Sequence, residues 1–149
     1  MKHSFFISLT LFILMFIGCK SAQNKEKNAS QTLNSSVSLF QTEWELLKIG
    51  ASKPKLIATD NKISILFSKD NSHCAGFSGC NRYSGKYNIK KENISFESII
   101  STKMACPGND MSFENNYLNT LQKITSYQII SDTLFLQSKG RTLLTYIAR

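Results

Sequence analysis

The stretch Thr-Leu-Phe-Leu-Gln-Ser-Lys-Gly-Arg-Thr-Leu-Leu-Thr-Tyr-Ile, residues 133–147, decides the fold class of this 149-residue chain. Residues 133–138 and 141–147 are rich in β-branched, aromatic and other apolar side chains, which is typical of strands. Lys139-Gly140 between them favours a tight turn, because glycine readily adopts a positive φ. The segment is therefore predicted to form an antiparallel hairpin.

Further strands are predicted upstream at residues 43–49, 62–68, 93–98 and 125–131. In the second of these, Ile63, Ile65 and Phe67 fall on one face and alternate with serine and leucine, which is the period of a half-buried strand. Asn, Asp, Ser, Lys and Gly bound these runs, as expected of turns. A chain built this way is predicted to be mainly β.

One segment has the spacing of a helix instead. Apolar residues recur at intervals of three and four on a single stripe, namely Phe113, Tyr117, Leu121 and Ile124. Asp110 or Ser112 is a candidate cap, and Pro107-Gly108 ends whatever precedes it. The predicted fold class is α+β, mainly β: a twisted antiparallel sheet or partial barrel with one packed helix.

The N-terminus predicts export. An uncharged apolar run at residues 4–17 has the size of a secretory core, about 7–15 residues, and falls short of the roughly 20 that a spanning helix needs. It ends in Met-Phe-Ile-Gly-Cys19, which resembles the lipobox of bacterial lipoproteins, with Phe16 at a position where leucine is usual. The resemblance implies removal of residues 1–18 and acylation of Cys19, and several acyl chains give stable anchoring.

Residues 19–40 are polar until Val37 and are predicted to be a flexible tether, which leaves residues 41–149 as one domain. The resemblance to lipoproteins implies a location in the bacterial cell envelope. Lys20 stands where inner-membrane retention signals place aspartate, and this implies the outer membrane. An uncleaved anchor, or a signal peptide cut elsewhere, is the alternative.

Two segments carry a second resemblance. One is Cys-Ala-Gly-Phe-Ser-Gly-Cys-Asn-Arg-Tyr-Ser-Gly-Lys-Tyr at residues 74–87, whose glycines mark bulges, turns or close backbone approach. The other is Thr-Lys-Met-Ala-Cys at residues 102–106. Together with Trp-Glu-Leu at 44–46 and Leu-Thr-Tyr at 144–146, they resemble the META domain of HslJ-like bacterial lipoproteins. The family-like positions are Gly79, Cys80, Asn81, Tyr83, Gly85, Tyr87, Thr102, Met104, Ala105 and Cys106.

The resemblance to the META family implies a β-rich fold, an envelope location and a part in tolerance of stress, such as heat or antibiotics. It implies no reaction. The preferred hypothesis is therefore a non-enzymatic lipoprotein that binds a protein partner or a small apolar ligand, with no cofactor and no metal. Tyr83, Tyr87, Phe77 and Trp44 are candidates for a ligand groove, although core packing is the commoner use of such residues.

Three cysteines remain once Cys19 is acylated, and cysteines of exported proteins are usually bridged. Cys80 and Cys106 belong to the two family-like segments, so they are the preferred disulfide pair, with Cys74 unpaired or competing. Reduced thiols remain the alternative. His73 with the three cysteines supplies zinc ligand types, but the spacing is not that of a zinc motif. The alternative function is a thiol or redox protein, or another envelope enzyme, that uses Cys74, Cys80, Cys106 or His73. In the redox case, His73 or Arg82 would lower the pKa of the thiol.

The charge and the carboxylates of the domain exclude few further classes of function. The domain carries 14 Lys and Arg against 9 Asp and Glu, a balance of 14 − 9 = +5, and its basic residues are scattered singly apart from Lys90-Lys91. This pattern does not favour nucleic-acid binding. No hydrolase arrangement stands out around His73. The glutamates fit exposed strand or helix positions, and spacing alone does not exclude a glycosidase pair among them, namely Glu43, Glu45, Glu92, Glu97 and Glu114.

Overall fold

A computed structural model of the chain describes residues 37–54, 62–106 and 110–149. Eight strands and one helix follow one another along the chain. They are β1 (Glu43–Ile49), β2 (Ser64–Ser68), β3 (His73–Phe77), β4 (Arg82–Lys90), β5 (Asn93–Ser101), α1 (Asp110–Leu121), β6 (Ser126–Ile130), β7 (Thr133–Ser138) and β8 (Arg141–Ala148). None of the helices in these residues is long and apolar enough to cross a membrane.

The strands form one antiparallel sheet in which every strand pairs with its neighbours in the chain. Because β8 also pairs with β1, the sheet closes into a ring. The junction between β5 and β6 is the weakest, with Asn93 opposite Ser126 as its one registered pair. Helix α1 connects these two strands along the chain, and its apolar face packs on the core that the ring encloses.

Successive side chains of each strand point to opposite faces of the sheet, so that large apolar side chains point into the ring. Trp44, Ile65, Phe67, Leu136 and Leu144 have no exposed surface. Burying one such side chain contributes roughly 1.5–3 kcal/mol, so the shared core is the main source of stability. The interior is filled by these side chains together with those of α1.

The predicted fold class is confirmed: a mainly antiparallel β structure with a single helix. The predicted hairpin is also present, because Lys139 and Gly140 both have positive φ, of 50° and 73°, between β7 and β8. The helix is one turn shorter than its apolar stripe. Ile124 is buried beyond the end of α1, in a turn where its N–H donates to the carbonyl of Leu121.

Several boundaries differ from prediction. Helix α1 begins at Asp110, so Ser112 lies inside it and does not precede it as a cap. The segment whose glycines are expected to mark bulges, turns or close backbone approach forms β3 and β4, and the pairing of β4 with β5 shifts register between Ser84 and Lys86, at Gly85. Residues 37–40, assigned to the tether, belong to the described domain: Leu39 is buried, and its carbonyl accepts a hydrogen bond from Trp44 Nε1 at 3.1 Å. The predicted signal peptide, Cys19 and the turn at Pro107-Gly108 lie outside the described residues.

Candidate functional site

The side-chain amide of Asn81 joins the two family-like segments. Asn81 lies between β3 and β4 and is 2% exposed. Its Oδ1 accepts hydrogen bonds from Thr102 Oγ1 at 2.8 Å and from the Met104 N–H at 3.0 Å. Its Nδ2 donates to Glu114 Oε2 at 3.0 Å. One amide therefore fixes the segment after β5 and the helix α1 to the start of β4, and we call this arrangement the Asn81 clamp.

Glu114 supplies the acceptor of the clamp from inside the domain. It is 5% exposed, and its Oε2 also accepts from the Asn81 N–H at 3.1 Å and lies 3.0 Å from Ser78 Oγ. Its Oε1 accepts from Ser101 Oγ at 3.1 Å. The expectation that Glu114 occupies an exposed helix position is wrong, because hydrogen-bond donors around a buried carboxylate offset the cost of its desolvation.

Cys80 and Cys106 lie beside the clamp. Their Cα atoms are 6.0 Å apart, within the usual range for a disulfide, and their sulfurs are at bonding distance. Asn81 Nδ2 is 3.6 Å from both sulfurs. The structure thus brings together the pair that the sequence favours, while Cys74 is buried elsewhere and has no disulfide partner in the described chain.

The residues near Asn81 that could bind a metal differ from the set of ligands that the sequence suggests. The sulfurs of Cys80 and Cys106 and a carboxylate oxygen of Glu114 lie within 4.8 Å of one another. His73 and Cys74 are not in this group, and the His73 ring is 2.7 Å from the carbonyl of Asn71. Since joined sulfurs are not thiolate ligands, only the carboxylate would remain when the pair is bonded.

A second polar cluster fills the centre of the ring. Three buried tyrosines pass hydrogen bonds in one direction: Tyr146 donates to Tyr117 at 3.1 Å, Tyr117 is 2.8 Å from Tyr83, and Tyr83 donates to the carbonyl of Ser64 at 3.1 Å. Because Tyr83 uses its only proton on Ser64, Tyr117 must be the donor to Tyr83. Each hydroxyl then donates once, which satisfies every proton of the cluster.

Burial sets the ionisation of this interior. Desolvation raises the pKa of Tyr83, Tyr117 and Tyr146 well above the ordinary value, so all three are neutral phenols. The thiol of Cys74 belongs to the same interior, and burial raises its pKa to about 11. A thiol with a raised pKa is a poor nucleophile, and this argues against Cys74 as a redox centre activated by His73 or Arg82.

The glycines of the first segment are explained by close packing. A Cβ on Gly76 would lie 1.9 Å from the carbonyl oxygen of Ser64, the acceptor of the tyrosine chain. A Cβ on Gly85 would lie 2.9 Å from the side chain of Ile99. Gly79 has a φ of 104°, which favours glycine in the turn before the clamp. Gly76 therefore allows β3 to approach β2 closely, and Gly85 allows β4 to approach β5.

The remaining family-like residues divide between core and surface. Trp44, Tyr83 and Tyr87 are buried core residues, and Tyr87 OH donates to the carbonyl of Ser68 at 2.7 Å. Phe77 is partly exposed. Met104 is 58% exposed even though its backbone N–H belongs to the clamp. The aromatic residues considered for a ligand groove are thus mostly core, as their commoner use suggests.

Comparison with known protein families agrees with the resemblance of the two segments, residues 74–87 and 102–106, to the META domain. The model of the META domain family matches residues 37–149. The chain belongs to the META family. No curated protein matches it.

Two NMR structures share the fold of this chain, and a crystal structure is similar to it at a lower TM-score. An NMR structure of a protein from Burkholderia xenovorans is 30% identical, with a TM-score of 0.60, over 74% of this chain and 83% of that one. A second NMR structure is 21% identical, with a TM-score of 0.57, over 74% and 94% of the two chains. A crystal structure of a DUF4847 family protein from Bacteroides vulgatus is 18% identical, with a TM-score of 0.47, over 71% and 90%.

In this META domain, the side chains of Asn81 and Thr102 are used for internal hydrogen bonds. The sequence did not indicate Glu114 as the partner of Asn81, nor Ser78 and Ser101 as contacts of Glu114. A signal for Glu114 was present, because it precedes Tyr117 by three residues and Leu121 by seven, and so lies on the apolar stripe of α1. A carboxylate on a core-facing stripe indicates a buried partner.

Proposed function

We propose that this META protein is a lipoprotein of the bacterial cell envelope, acylated at Cys19, whose domain is a non-enzymatic binding module. The lipobox-like sequence before Cys19 supports the anchor, and Lys20 supports the outer membrane as its location. The polar residues 20–36 would let the domain reach a partner at some distance from the membrane.

One observation supports the proposal that the domain is not an enzyme: the polar atoms of the Asn81 clamp form hydrogen bonds with groups of the domain itself. A catalytic group needs a free polar atom facing a reactant. Glu114, the buried carboxylate, instead receives hydrogen bonds from Asn81 and Ser101, and Asn81 is itself bonded to Thr102 and Met104. The family-like residues therefore act by holding the fold together.

The packed interior supports a protein partner over a small apolar ligand. A ring that held such a ligand would need space at its centre, but Trp44, Phe67, Tyr117 and Tyr146 fill this centre with fully buried rings. Exposed side chains are left for recognition. The alternative of a thiol or redox enzyme loses support from the burial and raised pKa of Cys74.

Metabolic labelling tests the anchor directly. Cells that produce the wild-type chain should incorporate labelled palmitate into this protein and retain it in the outer-membrane fraction. The Cys19→Ala variant should lose both the label and the fractionation, because no acyl chain remains to bury. Equal labelling of the variant, or membrane retention without any label, would refute the lipoprotein assignment.

Complementation tests the role in stress tolerance. A deletion strain should be more sensitive to heat or antibiotic, and the wild-type gene should restore tolerance while Cys19→Ala should not. Cys74→Ser should restore it as well as wild type, because the proposal gives that thiol no chemistry. Loss of complementation by Cys74→Ser, with the protein folded and abundant, would favour the redox alternative.

A further inference from the structure

A cleft of about 480 Å³ lies where three chain segments meet, at the end of β1, after the end of α1 and at the turn between β7 and β8. Three cationic side chains line it: Lys123, Lys139 and Arg141. Ile49 and Leu143 give it an apolar wall. The two hydroxyl groups on its lining belong to Thr120 and Ser138, and no carboxylate of the described chain contributes to it. It is distinct from the Asn81 clamp.

The backbone around the cleft is fixed by hydrogen bonds. The Gly50 N–H donates to the carbonyl of Leu143 at 2.7 Å and joins the end of β1 to β8. Thr120 Oγ1 donates to the carbonyl of Asn116 at 2.7 Å within α1. The turn at Lys139 and Gly140 has the paired positive φ values of a tight hairpin. The backbone that lines the cleft is thus formed before any ligand arrives, which lowers the entropic cost of binding, while the exposed side chains of Lys123, Lys139 and Arg141 become ordered with the ligand.

The positive charge of the cleft is not neutralised within the described chain. In the described chain, Glu45 forms ion pairs with Lys62 and Arg149. None of the cationic side chains of the cleft takes part in an ion pair there. The negative end of the α1 dipole opposes an anion, although the N–H groups of Gln122, Lys123 and Ile124 occupy three of its terminal carbonyls. Since clefts lined by one sign of charge concentrate counter-ions, an anion is the expected occupant.

We propose that this cleft binds a phosphate group carried on a small organic molecule, either a soluble phosphate ester or the headgroup of an anionic lipid. A guanidinium and two ammonium groups supply enough donors for several phosphate oxygens, with Arg141 able to bind two at once. The volume is that of a small-molecule site, and Ile49 and Leu143 contact the apolar part of the ligand. The inference does not depend on acylation of Cys19.

Titration of the full protein, purified from whole-cell extract in a non-ionic detergent, tests the site. One arm uses glycerol 3-phosphate and the other uses phosphatidylglycerol added to the micelles, with glycerol and diacylglycerol as uncharged counterparts. The amide signals of Gly50 and Gly140 report on the cleft by NMR, and calorimetry gives the affinity. Binding in the first arm assigns a soluble phosphate ester, and binding in the second assigns a lipid headgroup.

A matched pair of double variants separates the site from general attraction. Lys139→Glu/Arg141→Glu should weaken phosphate binding by about tenfold or more, because it reverses two of the three charges. Lys69→Glu/Lys86→Glu changes the net charge equally at exposed positions outside the lining and should bind like wild type. Equal loss in both variants, unchanged binding by the first, equal binding of the uncharged counterparts, or no shift of Gly50 and Gly140 in either arm would overturn the proposal.

Discussion

Replacing Asn81 by alanine removes the clamp while leaving the backbone N–H that donates to Glu114. Two of the lost hydrogen bonds involve exposed residues, Thr102 and Met104, where water can replace the amide at a cost of about 0.5 kcal/mol each. The third, to the buried Glu114 carboxylate, is worth about 1.5–3 kcal/mol. The free energy of unfolding should therefore fall by about 2.5–4 kcal/mol.

Urea unfolding of the two proteins with their disulfide state matched measures this difference. Asn88→Ala is the control, because Asn88 lies exposed on the same strand, β4, and its side chain has no recorded hydrogen bond within the described residues. Its effect should stay within about 0.5 kcal/mol. If Asn81→Ala is no more destabilising than Asn88→Ala, the clamp does not stabilise the fold and the structural reading of the family segments is wrong.

Tyr117→Phe should lower the free energy of unfolding by about 1–3 kcal/mol, because it leaves Tyr146 without an acceptor. Tyr146→Phe should lower it less, because Tyr117 still donates to Tyr83. Equal losses in urea unfolding would contradict the direction of the hydrogen bonds among the tyrosines. Burial raises the pKa of Cys74 and of the three tyrosines above their ordinary values of 9.0 and 10.0, so their contribution to stability is complete below about pH 9 and is lost at higher pH. Unfolding measured at increasing pH, with tyrosinate absorbance, should show the buried phenols ionising only as the domain unfolds; their ionisation in a still folded domain would refute this. Gly76→Ala should lower the free energy of unfolding by about 3 kcal/mol or more, or prevent folding, because the added Cβ meets the backbone of Ser64. A variant as stable as wild type would contradict the close approach of β2 and β3.

Local patterns predicted the elements whose side chains alternate or repeat regularly. Residues 43–49 and 133–138 have the predicted strand bounds, and the turn at Lys139-Gly140 has the predicted sign of φ. These features depend on near neighbours in the chain, so one sequence suffices to find them. The bounds of strands β3 and β4 were not predicted, because their inward positions include Cys74 and Gly85, which fit only against particular partners across the sheet.

The contacts of the candidate site could not be predicted from spacing. Asn81 and Glu114 are 33 residues apart, and only the closure of the sheet around α1 brings them to 3.0 Å. Resemblance to the META family indicated Asn81 but gave it no partner. The basic cleft was missed for the same reason, because Lys123 and Arg141 are single basic residues in sequence and become neighbours only when the residues after α1 lie near the start of β8.

Counting thiols in the mature protein tests most directly the claim that the family segments form a covalently tied structural unit on a lipid anchor. The folded, unreduced protein should show no reactive thiol, since Cys74 is 1% exposed. Unfolding without reductant should reveal one thiol, and reduction should raise the count to three, with Cys19 blocked by its lipid. Three thiols before reduction would contradict the bond between Cys80 and Cys106, and one thiol beyond these counts would contradict acylation of Cys19.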